Sequence, residues 1–113
     1  MVKPRYIPNR GDIILIDFNP TRGHEQSNVR PALVLSDKTY NQKTNLAVVC
    51  PITSQSKGYP FEVFVQEKKI TGVVLSDHVR TLDWHVRNAR FIQKSSEEVS
   101  AEVAAKLSAL LFG

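Results

Sequence analysis

Nine consecutive residues, Gly23-His24-Glu25-Gln26-Ser27-Asn28-Val29-Arg30-Pro31, gather an imidazole, a carboxylate, an amide and a guanidinium. The stretch offers no apolar face to bury, so packing does not account for its composition. His24 and Glu25 are side chains of the types that move protons near neutral pH, and Arg30 can hold a phosphate by two parallel hydrogen bonds. That combination suits phosphodiester chemistry. Cleaving such a bond requires a group to take the proton of the attacking hydroxyl. It also requires positive charge around the pentavalent phosphorus and a proton for the departing 5′-oxygen. Arg30 fits the middle task, because arginine gives up its proton too reluctantly to serve as the donor.

The elements that carry these residues are short and mostly extended. Residues 1–10 hold two prolines and three cationic side chains and read as an N-terminal arm. Residues 12–18, Asp-Ile-Ile-Leu-Ile-Asp-Phe, are apolar on both faces and predict a central strand. Further strands are expected at 32–36, 46–53, 61–66, 70–76 and 90–92. Pro51 removes a ladder donor from the third of the six, which requires a bulge or an edge there. Gly72 reads as a second bulge. The polar stretch Ser54-Gln55-Ser56-Lys57-Gly58-Tyr59-Pro60 is a loop. Short strands broken by glycine, proline and asparagine predict a mainly β fold, a small antiparallel barrel. Only the C-terminus reads as helical. Ser95 and Glu98 form a capping box, and Val99, Val103, Leu107 and Leu110 form one apolar stripe.

Composition narrows the function classes. The 113 residues fit a single domain, 42% hydrophobic and 23% charged, which excludes a disordered chain. A net charge of +4 favours an acidic or polyanionic partner. Cys50 is the lone cysteine, flanked by Val49 and Pro51, and reads as a buried core thiol. No apolar run approaches the ~20 residues of a membrane span, and the N-terminus carries no signal-peptide stretch, so a cytoplasmic protein without membrane contact is expected. His24, His78 and His85 lack metal-ligand spacing, so neither a metal nor another cofactor is expected.

Several stretches, taken in order, carry a resemblance. They are Arg10-Gly11-Asp12-Ile13, Asp17-Phe18-Asn19-Pro20-Thr21, Gly23-His24-Glu25-Gln26, Arg30-Pro31-Ala32-Leu33-Val34-Leu35-Ser36, Pro51-Ile52-Thr53-Ser54, Gly58-Tyr59-Pro60-Phe61-Glu62-Val63 and Gly72-Val73-Val74-Leu75-Ser76-Asp77. With these gaps the chain resembles the MazF/PemK (Kid) family of toxin endoribonucleases over nearly its whole length. The resemblance implies an SH3-like barrel with a C-terminal helix, acting as a homodimer that cleaves single-stranded RNA without metal. It also implies an acidic, flexible antitoxin of the MazE/PemI type, with DNA reached only indirectly through that antitoxin. In similar proteins the arginine of the Arg-Pro motif and the threonine of the Pro-x-Thr motif act at the active site; here these are Arg30 and Thr53. Glu25 matches a glutamate given a supporting role, and the Kid branch has a histidine and an aspartate where His24 and Asp77 stand. The Kid pattern has an arginine two residues before that aspartate, where this chain has Leu75, and residues 57–63 follow the MazF branch. His78 replaces the glutamine commonly found after the aspartate.

The expected catalytic set is therefore Arg30, Thr53, Glu25, His24 and Asp77. Substrate binding is expected of Gln26, Asn28, Ser54, Lys57, Tyr59, Phe61, His78 and Arg80. Tyr59 is a candidate for stacking on a base, whereas Trp84, between Leu82 and Val86, suits the core. Two other readings stand beside this one. A toxin of the CcdB type would poison gyrase on the same barrel, but it acts through C-terminal tryptophan and glycine residues, and this chain ends Leu110-Leu111-Phe112-Gly113. A non-catalytic RNA-binding barrel is the other.

Overall fold

A computed structural model describes residues 5–19 and 28–113. Seven strands form one curled antiparallel sheet, a mainly β half-barrel closed on one side by a C-terminal helix. Chain order gives β1 (Asp12–Asp17), β2 (Val29–Val34), helix α1 (Lys38–Thr44), β3 (Leu46–Thr53), β4 (Glu62–Gln66), β5 (Thr71–Leu75), β6 (Arg80–Asp83), β7 (Arg90–Lys94) and helix α2 (Glu97–Phe112). The order across the sheet is β4-β5-β3-β2-β1-β7, and β6 joins the other half of β3. The small-barrel expectation holds.

Each face of the sheet has its own core. Ile13, Leu33, Cys50, Ile52, Val63, Val65 and Val74 pack under Val99 and Val103 of α2. Ile14, Ile16, Ala32, Val34, Ala47 and Val49 pack on the opposite face with Phe18, Leu82 and Trp84. Strands such as β1 are apolar on both faces because both are covered within the chain. Trp84 is buried as expected, and its indole N–H donates to the Asn41 carbonyl at 2.9 Å. Cys50 is fully buried, and loss of solvation pushes its thiol up to about 12. Residues 5–9 of the arm lack helix or strand yet are tied down. Buried Asp12 accepts from Tyr6 Oη at 2.5 Å and the Asn9 amide at 3.0 Å, and pairs with Lys94 at 2.9 Å.

Several local readings change. β2 begins at Val29, three residues before the expected start, so Arg30 and Pro31 lie on the strand, opposite Ile16 and Leu15. The residue before a proline favours extended backbone, which extends β2 backwards through Arg30. Pro51 lies in a central strand with no bulge at that point. β3 pairs with β6 up to Val49 and with β5 from Ile52, so the missing N–H falls in the gap between those partners. Gly72 is no bulge either, since it pairs in register with Val65. The one irregularity of β1 and β7 lies between Ile13 and Ile14. The cap of α2 is Ser96, whose side chain accepts from Val99 N, because the Ser95 amide is already committed to the Gly11 carbonyl at 2.8 Å. Helix α1 and strand β6 are elements the pattern reading missed. Among the described residues no helix is long and apolar enough to cross a membrane.

Candidate active site

Four segments meet at one cleft: β2 supplies Arg30, the end of β3 supplies Thr53, the following loop supplies Gln55, Lys57 and Tyr59, and the segment from β4 to the β5–β6 turn supplies Glu62, Leu75, Asp77 and His78. Six of the residues expected from sequence are thus brought together: Arg30, Thr53, Lys57, Tyr59, Asp77 and His78. Gln55 and Glu62 were not anticipated. His24, Glu25 and Gln26 lie outside the described residues.

Position follows from pairing. Arg30 is solvent-exposed on β2, so its charge needs no buried partner. Thr53 Oγ1 accepts from the Gln55 amide at 3.2 Å, which fixes the hydroxyl at the strand end; a hydroxyl that accepts there still has its own proton to give. Tyr59 Oη donates to Asp77 Oδ1 at 2.8 Å. Loss of solvation first, and the Asp77 hydrogen bond second, push this phenol up to about 12, so it keeps its proton at neutral pH. His78 Nε2 lies 3.8 Å from the same carboxylate oxygen. Tyr59 is therefore committed to Asp77 by its hydroxyl end while its ring packs near Phe61, 6.5 Å between centroids.

Glu62 shapes the loop. Its Oε1 accepts from Ser56 Oγ at 2.7 Å and Gly58 N at 3.0 Å, and its Oε2 from Lys57 N at 2.8 Å. The Lys57 amide is the main cause that holds this carboxylate below its ordinary value, followed by the Ser56 hydroxyl. Gly58 has φ +75°, a conformation that lets the loop fold back on the carboxylate. A carboxylate depressed on folding holds the loop above its unfolded pKa of ~4.3 and releases it as pH falls through the lower folded value. Glu62→Ala is expected to loosen this loop, measured as faster hydrogen exchange at the Lys57 and Gly58 amides, since both lose their acceptor.

The remaining expected residues that the structure describes, Asn28, Ser54, Phe61 and Arg80, do not line this cleft. Arg80 places its guanidinium 5.6 Å over the Phe18 ring. The Phe61 carbonyl accepts from the Ser76 amide at 3.1 Å and from the Ser76 hydroxyl. Ser54 is exposed at the strand end. Asn28 donates its amide to Asp17 Oδ1 at 3.0 Å, and the same oxygen takes the Asn19 amide at 2.9 Å. Arg87 donates to the carbonyls of Asp17 and Asn19 at 2.9 and 2.7 Å. The chain that leaves β1 and returns into β2 is thereby tied at its neck, beside Arg30.

Comparison with known proteins bears on this arrangement. Residues 9–111 match the model of the PemK-like, MazF-like toxins of type II toxin–antitoxin systems. The endoribonuclease toxin MazF of Escherichia coli K12 is 43% identical over 107 residues, 95% of this chain and 96% of that protein. The crystal structure of MazF from Deinococcus radiodurans is 47% identical, with a TM-score of 0.86 over 95% of this chain and 98% of that one. A MazE–MazF complex from the same organism gives 0.88 at 47% identity, covering 95% of this chain and 97% of that one.

Proposed function

This chain belongs to the PemK-like, MazF-like toxins of type II toxin–antitoxin systems, and we propose that it cleaves single-stranded RNA at the cleft around Arg30. The cleavage is sequence-specific and needs no metal ion. Its targets include mRNA, so translation and growth stop until an antitoxin neutralises the enzyme. Such an enzyme works in the cytoplasm. The observation that carries the reading is one cleft holding a guanidinium, a neutral hydroxyl donor and an aspartate–histidine pair.

Each group has a task. The neighbouring 2′-hydroxyl attacks phosphorus, leaving a 2′,3′-cyclic phosphate and a 5′-hydroxyl end. Arg30 clamps the charge that develops on the phosphoryl oxygens, and Thr53 donates to one of them. His24, Glu25 and Asp77 are the proton-transfer candidates brought by the resemblance. Lys57 follows the backbone and Tyr59 offers a ring to a base, with Gln26, Asn28, Ser54, Phe61, His78 and Arg80 as further contacts. Purified protein incubated with long RNA in EDTA tests this. Cuts at one short recurring sequence, each with a 5′-hydroxyl, are expected. Intact RNA, or cleavage that EDTA abolishes, contradicts the reading.

The partners follow from surfaces. The far end of α2 leaves Leu110, Leu111 and Phe112 exposed, beside an apolar groove lined by Val34, Leu35, Ala104 and Leu107. A second copy covering this end gives a two-fold dimer. Light scattering at micromolar concentration is expected to show that dimer; a fully active monomer contradicts it. The +4 chain suits an acidic, flexible antitoxin of the MazE type, whose tail competes with RNA for the cleft. DNA is reached through that antitoxin alone.

A further inference from the structure

Resting on the reading of this cleft as an RNA-cleaving site, we propose that His78 accepts the proton of the attacking 2′-hydroxyl, oriented by Asp77, which Tyr59 in turn holds. The reaction needs an acceptor, and the groups lining the cleft differ in their freedom to act. Glu62 has both oxygens engaged by three donors. Tyr59 gives its proton to a hydrogen bond with Asp77. Asp77 is the more enclosed member of its pair, its side chain 27% exposed against 54% for His78. His78 is thus the more accessible of the two and carries the ring best suited to exchange protons near neutral pH.

The geometry defines the roles of the two ring nitrogens. Asp77 lies on the Nε2 side at 3.8 Å, an ion-pair distance. It favours a proton there and leaves the Nδ1 lone pair to accept. The 2′ O–H bond breaks toward Nδ1 as the 2′-oxygen bonds to phosphorus. The bond from phosphorus to the 5′-oxygen breaks with its electron pair on that oxygen. The proton returns through water to the 5′-oxygen, so none is consumed. Other charged groups line the same cleft: Arg30 from β2, Lys57 from the loop after β3 and Glu62 from β4; Arg80 lies outside it, over the Phe18 ring.

The test is single-turnover cleavage of one RNA oligonucleotide across pH by wild type, His78→Gln, Asp77→Asn and His24→Ala. Wild-type rate is expected to rise with pH to a plateau as the imidazole loses its proton. His78→Gln is expected to be ~10²-fold slower or worse at saturating enzyme, with that rise gone. Asp77→Asn is expected to slow cleavage less than His78→Gln does, since it removes the orienting partner and leaves the acceptor in place. A His78→Gln protein matching wild type in rate and profile overturns the proposal. So does a rise that persists in His78→Gln and vanishes in His24→Ala. A wild type that leaves RNA intact overturns the cleavage reading itself, and the role of His78 with it.

Discussion

Arg30→Ala is expected to lose at least ~10²–10³ of the cleavage rate while remaining folded, since removing one oxyanion-type donor already costs that much and Arg30 supplies a charge besides. The side chain is exposed on β2, opposite Ile16, so its truncation opens no cavity and leaves the strand pairing unchanged. Circular dichroism of the variant should therefore match wild type. Arg30→Lys should recover little, because an ammonium is a point charge and cannot offer two coplanar bonds to the phosphoryl oxygens. Near-normal cleavage by folded Arg30→Ala would remove the clamp from the mechanism.

Gly72→Ala should be the most damaging small substitution in the sheet. A Cβ there would sit 2.5 Å from the Thr53 carbonyl oxygen and 3.2 Å from Ile52 Cγ2. The obstacle is the backbone of β3, which cannot rotate away as a side chain tip would. β5 holds β3 through only the pairs Ile52–Val74 and Thr53–Val73, so the strands must separate where Thr53 is positioned. Overpacking of this kind costs about 1–3 kcal/mol. A urea midpoint that falls without a change in slope is the expected signature. Cleavage should fall as well, since Thr53 shifts with the strand. An unchanged midpoint would show that the sheet absorbs the methyl group.

The sequence reading reached the long apolar strands because burial dictates them. β3 begins and ends where its run of apolar residues does, from Leu46 to Thr53, and β1 falls one residue short of its expected length. Helix α1 escaped notice because Lys-Thr-Tyr-Asn-Gln-Lys-Thr has no apolar stripe and buries only Asn41. Its signals were the ends: Asp37 accepts from the Thr39 amide, and Asn45 closes the helix at φ 59°. β6 is four residues long with Leu82 alone buried, too brief for a period to show. In the candidate site, Arg30 was conspicuous from its polar surroundings, whereas Thr53 and Asp77 stood out only through the family resemblance. Glu62 looked like the solvent side of an alternating strand. Its task, gathering the amides of Lys57 and Gly58, arises from the path of a loop that no pattern of hydrophobicity encodes. Residues 12–18 were legible as apolar on both faces. The chain covers both faces itself and leaves the end of α2 as the surface to be covered.

Attack by the 2′-hydroxyl is the chemistry for which a guanidinium clamp and a proton acceptor suffice. The most direct measurement compares two oligonucleotides that differ by one oxygen, a single 2′-deoxy substitution at the mapped cleavage position. The modified strand is expected to bind in the cleft, to compete with the all-ribose strand, and to remain uncut at that position. Cleavage of the 2′-deoxy strand at the same bond and a comparable rate would contradict the mechanism built on Arg30 and its neighbours.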